Sequence, residues 1–117
     1  MAYEMCGSGK RVTCIVDGDT FWLKGEKFRL DGYDTPEPQN NICGGDVERA
    51  LAHKASAAFM ELMNSGVVTI SRTGKDRHER TLAHVYVDGV NVGETLVAMG
   101  FARRWPDGCE FWCNLCE

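Results

Sequence analysis

The chain lacks any excess of base: 13 Lys and Arg stand against 17 Asp and Glu, a formal net charge of −4. A broad basic footprint for nucleic acid is therefore absent, and a polyanion has to be held by a local site. No apolar run approaches the roughly 20 residues that cross a bilayer, so no membrane partner is expected. The opening MAYEMCGSGKR lacks the charged-then-apolar layout of a signal peptide. That leaves a secreted or periplasmic protein whose signal has been removed, or else a cytoplasmic one. Internal repeats and low-complexity linkers are also missing. At 117 residues the chain is long enough for one core and too short for two.

The acidity that is present is concentrated. Residues 31–50 hold Asp31, Asp34, Glu37, Asp46 and Glu48 against Arg49 alone, and the other 97 residues balance 12 acids with 12 bases. Opposed to this is SRTGKDRHER at 71–80, with four bases and two acids. Six cysteines make about 5% of the chain. Cys109, Cys113 and Cys116 crowd the end, whereas Cys6, Cys14 and Cys43 lie apart. Zinc sites usually pair C-x-x-C elements, and only one is visible here, so disulfides of a secreted protein are the favoured reading over zinc. Spacing alone does not give the pairing.

Along the chain, KRVTCIV (10–16) alternates with Val12, Cys14 and Val16 on one face, and TFWLK (20–24) and KFRLDGY (27–33) complete a three-stranded meander. A long loop follows over 34–45. The period then becomes helical, with Val47, Leu51, Ala55, Ala58, Phe59 and Leu62 on one face, Asp46 as N-cap and Gly66 as stop. VVTISR (67–72) and TLAHVYV (81–87) read as two more strands, and VGETLVAMG (92–100) as a short helix. This order does not suit an alternating parallel sheet. It predicts an α+β, mainly β, fold: a five-stranded OB-fold barrel with one long and one short helix at its side. The predicted division is an N-terminal tail over 1–9, the barrel domain over 10–105 and a cysteine-rich tail over 106–117.

The loop opens with YDTPEP (33–38), where two carboxylates flank a proline. A turn needs only one Asp to bond its own backbone, so Asp34 and Glu37 held together suggest a cation or a proton to move. VDGDT (16–20), FRLDGYDTPE (28–37), a helix bearing ASAAF (55–59) and DRHERTLAHVYVDG (76–89) follow one another in an order that resembles the staphylococcal nuclease (thermonuclease) family over residues 10–105. The resemblance implies a five-stranded OB barrel that hydrolyses DNA and RNA with Ca²⁺, leaving 3′-phosphate and 5′-hydroxyl ends, and the chain is expected to be a monomer. Carried over, Asp19 and Asp34 bind the cation, Thr35 adds its backbone carbonyl, Glu37 orients or deprotonates water, and Arg29 and Arg80 contact the phosphate. Those residue types suit that chemistry. Hard oxygens match Ca²⁺, and arginine forks stay charged while bonding two phosphate oxygens. Pro36 and Pro38 would hold Asp34 and Glu37 in a fixed frame.

The sequence departs from the family in two places. His78 with Glu79 stands where an aromatic residue and a glycine are usual, which alters the loop before Arg80. After Trp105-Pro106 the chain is short and cysteine-rich in place of a long helix, and a tyrosine pair is missing. Trp105, Phe111 and Trp112 are read as packing on the barrel, and Cys43 as tied to the tail at Cys113, a staple in place of that helix. His53 and His84 are read as structural or surface residues. The competing function is a non-catalytic OB-fold module that binds single-stranded nucleic acid or a protein. Retention of Asp19, Arg29, Asp34, Glu37 and Arg80 together favours the enzyme.

Overall fold

In the computed structural model, which describes residues 2–37, 43–106 and 108–113, the meander is the frame on which everything else is mounted. The strands are β1 (Glu4–Met5), β2 (Cys14–Ile15), β3 (Thr20–Leu23), β4 (Glu26–Leu30) and β5 (Tyr33–Asp34). After helix α1 (Gly45–Met63) come β6 (Val68–Lys75), β7 (Thr81–Val87), β8 (Val90–Asn91), helix α2 (Val92–Ala98) and β9 (Arg103–Arg104). The main sheet runs β1-β2-β3-β4-β7-β6 with β8 against β7, and β5 pairs with β9 in a second, two-stranded ladder. β4 and β7 are parallel, with Arg29 opposite Leu82, and the other main-sheet neighbours from β2 onward are antiparallel. The result is a mixed α+β fold, mainly sheet, with two helices. Among the described residues the ladder path ends at β1 and β6 and does not close.

Several strands are shorter than the sequence pattern predicts. The expected strand over 10–16 pairs only at Cys14–Ile15, and Val12 is exposed. The expected strand over 27–33 breaks at Gly32, whose φ of 85° is open to glycine and rare for other residues. The chain leaves the main sheet there, and Tyr33–Asp34 turn to face Arg103–Arg104. Within the first nine residues, Glu4–Met5 add to β2 in parallel, and Cys6 is bonded to Cys14. Asn64 fastens the same segment by accepting from the Tyr3 amide at 2.6 Å and donating to its carbonyl at 2.8 Å.

α1 starts and turns differently from the sequence reading. Its N-cap is Gly44 and its C-cap Asn64, with Asp46 inside the first turn, where an acid meets the positive end of the helix dipole. Ala52, Ala55, Ser56, Ala58, Phe59 and Met63 form the buried face together with Glu48, while Val47 is 73% exposed. The apolar stripe is thus rotated away from Val47. Phe59 sets the rotation by meeting Phe21 edge-on at 5.7 Å, and Phe21 stacks on Phe28 at 5.0 Å. All three rings are fully buried. Each contributes roughly 1.5–3 kcal/mol of hydrophobic stabilisation.

α2 begins at Asn91, whose side chain accepts the Glu94 amide at 3.2 Å. Asn91→Ala is expected to cost about 1 kcal/mol, read as a lower midpoint in urea unfolding.

Candidate active site

Strand alternation places the first functional side chain. Phe28 and Leu30 of β4 point into the core, so Arg29 between them points out, with its side chain 17% exposed. The turn before β3 is fastened beside it, because Leu30 donates its amide to the Asp19 carbonyl at 2.9 Å. Asp17 shapes that turn, accepting the Asp19 amide at 3.2 Å. Gly18 is required by closeness: a Cβ there would lie 2.8 Å from the Thr35 hydroxyl oxygen. The turn can therefore seat directly against the loop that follows β5.

Asp19 is 4% exposed. Its Oδ1 accepts the Thr20 hydroxyl at 3.0 Å and its Oδ2 the Thr35 amide at 3.3 Å. Asp34 accepts Nε and Nη2 of Arg103 at 3.0 and 2.9 Å. Arg29 stands between the acids, its Nη2 3.6 Å from Asp19 and 3.7 Å from Asp34. Beyond Asp34, Thr35 and Pro36 are buried and Glu37 is half-buried. The Glu37 amide donates to Glu48 at 2.9 Å. Pro38, the second proline of the expected frame, lies outside the described residues.

These carboxylates are held where negative charge is unfavourable. Burial, with the Asp17 charge beside it, pushes the Asp19 carboxyl up to about 7 against the pull of Arg29 and the Thr20 hydroxyl. Glu37 is likewise raised to about 7, by burial first and then by the charges of Asp19, Asp34 and Glu48. Asp34 is raised by burial, and the bonds from Arg103 offset part of the rise.

A cleft of about 460 Å³ is lined by Arg29, Asp34, Asp76, His78, Arg80 and Trp105, among others. Arg80 reaches it from the loop before β7. There Asp76 accepts the Arg80 Nε at 2.7 Å and the amides of His78 and Arg80, each at 2.9 Å. Arg29, Asp34 and Arg80 thus share one opening, while Asp19, Thr35 and Glu37 lie off its lining, Asp19 reaching it through Arg29 and Thr35 through Asp19. Trp105 does not pack as the sequence reading expected. It is 53% exposed on the cleft, whereas Trp112 is buried.

The donor set fits a hard cation. Two carboxylates burdened by burial face a loop whose Thr35 Oγ1 is buried without a partner. Positive charge at this point would stabilise the anions that burial penalises. Among the described residues, the set of three metal-capable side chains with ligand atoms all within 4.8 Å is Cys43, Glu110 and Cys113. A disulfide joins Cys43 to Cys113, which removes both sulfurs as ligands. The pairing assigned from the sequence is therefore present, and no described cysteine is free.

Two residues at the site escaped the sequence reading. Glu48 was hidden in a helical window, where an acid in the first turn is ordinary. Arg103 meets Asp34 across 69 residues, and no local pattern marks it.

A sequence profile of staphylococcal nuclease homologues matches residues 27–108. The chain belongs to this family. It is 34% identical over 97 residues to an uncharacterized endonuclease of Haemophilus influenzae, covering 79% of this chain and 49% of that protein. It is 38% identical over 96 residues to endonuclease YncB of Bacillus subtilis, covering 75% of this chain and 44% of the relative. A prophage-derived endonuclease of the same bacterium, YokF, is also 38% identical over 96 residues, with 75% of this chain and 31% of that protein covered. The chain thus spans less than half the length of these relatives. Among the described residues no helix is long and apolar enough to cross a membrane.

Proposed function

We propose that this staphylococcal nuclease homologue is a monomeric, Ca²⁺-dependent nuclease that hydrolyses phosphodiester bonds of DNA and RNA, leaving 3′-phosphate and 5′-hydroxyl ends. The observation that carries the reading is Arg29 set between Asp19 and Asp34 on a cleft that also presents Arg80. A five-stranded OB barrel over residues 10–105 is the frame we assign. Its meander β2-β3-β4 followed by β7 and then β6 is the order that supports it.

Asp19 and Asp34 would hold the cation through their carboxylates and Thr35 through its backbone carbonyl. When bound, Ca²⁺ supplies a fixed positive charge that offsets the negative phosphodiester. Arg29 and Arg80 bond the non-bridging phosphate oxygens, and their donors count most as charge builds there in the transition state. Glu37 takes a proton from the attacking water. The water oxygen bonds phosphorus, the bond to the 5′-oxygen breaks, and that oxygen takes a proton from solvent water and leaves as a hydroxyl. The phosphate stays on the 3′ side. Disulfides at Cys6–Cys14 and Cys43–Cys113 support a secreted or periplasmic setting, where such bonds persist.

The oxidised protein, incubated with single-stranded DNA or RNA in Ca²⁺ or in EDTA, is expected to cut both substrates only with Ca²⁺. The products should accept a 5′ phosphate from polynucleotide kinase without prior phosphatase treatment. A folded protein that binds the strands but cuts neither with any divalent ion would instead be a non-catalytic binding module.

A further inference from the structure

Asp19 and Glu48 are the fully buried carboxylates among the described residues, and the chemistry above uses only the first. Glu48 sits in the first turn of α1 and is 2% exposed. Its Oε1 accepts the Gly44 amide at 3.0 Å, and its Oε2 accepts the Glu37 amide at 2.9 Å. Helix capping accounts for the first bond, because a glutamate near the start of a helix can reach back to the N-cap amide. It does not account for the second, which leaves the helix and crosses 11 residues of chain. The two amides stand at either end of the segment that returns the chain from the site loop to α1.

We infer that Glu48 is a positioning residue, which fixes the backbone of Glu37 so that its carboxylate meets the attacking water in one geometry. This rests on the reading of Glu37 as the base. Pro36, fully buried, restricts the backbone immediately before Glu37, and the Glu48 bond restricts its amide. The two restrain the backbone that leads into Glu37 and leave its side-chain torsions free. A carboxylate is the group the position needs, since it offers an acceptor to each amide at once and both bonds are charge-assisted. Glutamine has one acceptor oxygen, and its NH₂ would face an N–H with a donor.

The test is steady-state kinetics in Ca²⁺ on a single-stranded DNA oligonucleotide, with Glu48→Gln, Glu37→Ala and the double variant. Glu48→Gln is expected to lower kcat by about 10–100-fold, the usual effect of losing a group that orients a reacting one. KM should stay within about twofold, because the interaction lost acts on the chemical step. Added to Glu37→Ala, the same change should lower the rate no further, since the side chain it positions is gone. An unchanged kcat in Glu48→Gln, or the same loss in both backgrounds, overturns the inference. Full activity in Glu37→Ala alone removes the base reading, independently of what Glu48→Gln does. If Glu48→Gln does not fold, amide hydrogen exchange on the unaltered protein decides. The Glu37 amide is expected to be strongly protected although it lies outside helix and strand, and exchange at the rate of an unstructured peptide overturns the inference.

Discussion

Glu37→Ala is expected to lower kcat by about 10²–10⁴, the span typical of a lost acid–base group, and to leave the protein at least as stable as before. The two halves of this expectation come from one environment. Glu37 is half-buried near Asp19, Asp34 and Glu48, and burial with their charges raises its pKa to about 7. A carboxyl whose folded pKa lies above its unfolded value costs the fold stability as pH rises past the unfolded value, and the full cost is reached above about 7. Removing it therefore relieves repulsion while abolishing the proton acceptor. A cation at Asp19 and Asp34 acts in the opposite direction, stabilising the Glu37 anion and lowering its pKa toward the ordinary carboxylate range. Rate and melting temperature are measured on the same preparation. Falling rate with unchanged or rising melting temperature fits a base held at a cost. Rate and stability falling together would make Glu37 a structural residue, and an unchanged rate would mean that another group accepts the proton of the water.

How much of this was legible before the structure depended on the range over which each residue acts. Strand and turn patterns are local, so β3, β7 and α2 were readable within a residue or two, and Arg29 stood out as a base amid the apolar residues of a strand. The break at Gly32 was not readable. What decides it is pairing with β9, 70 residues further on, and no pattern within 27–33 reports that partner. The rotation of α1 escaped for a related reason. Val47 and Phe59 both suit an apolar stripe, and only the ring of Phe21 across the core selects between them. At the site, Asp19, Asp34 and Arg29 were read from motifs, and the structure brings them together. Arg103 and Glu48 act by bonding other residues, through chain crossings that composition and spacing do not encode. Trp105 was misread because an aromatic after a strand is as compatible with a core as with a cleft wall.

Replacing Cys43 and Cys113 by serine is expected to cost about 4.4 kcal/mol, and replacing Cys6 and Cys14 about 2.5 kcal/mol, from the entropy of the loop each bond closes. The separations are 70 and 8 residues, so the difference tests whether the larger loop restrains the unfolded chain in proportion to its length. Urea unfolding of the two double variants measures it directly. Equal losses would mean that contacts in the folded state, and not loop closure, set the value of both bonds. Function should separate them more sharply than stability. Cys6–Cys14 fastens β1 to β2, away from the cleft lining. Cys43–Cys113 joins the start of α1 to the tail, where Trp112 is buried and its carbonyl closes over Gly44. Arg103, which bonds Asp34, also bonds the Gly108 carbonyl and lies over the Trp112 ring at 5.9 Å. Loosening the tail therefore frees a partner of Asp34 and the Gly44 end of the segment that Glu48 spans. Assayed well below its melting temperature, the Cys43→Ser/Cys113→Ser protein should lose turnover, whereas the Cys6→Ser/Cys14→Ser protein should keep it. Full turnover in the first variant would show that β-sheet and helix hold the site without the tail.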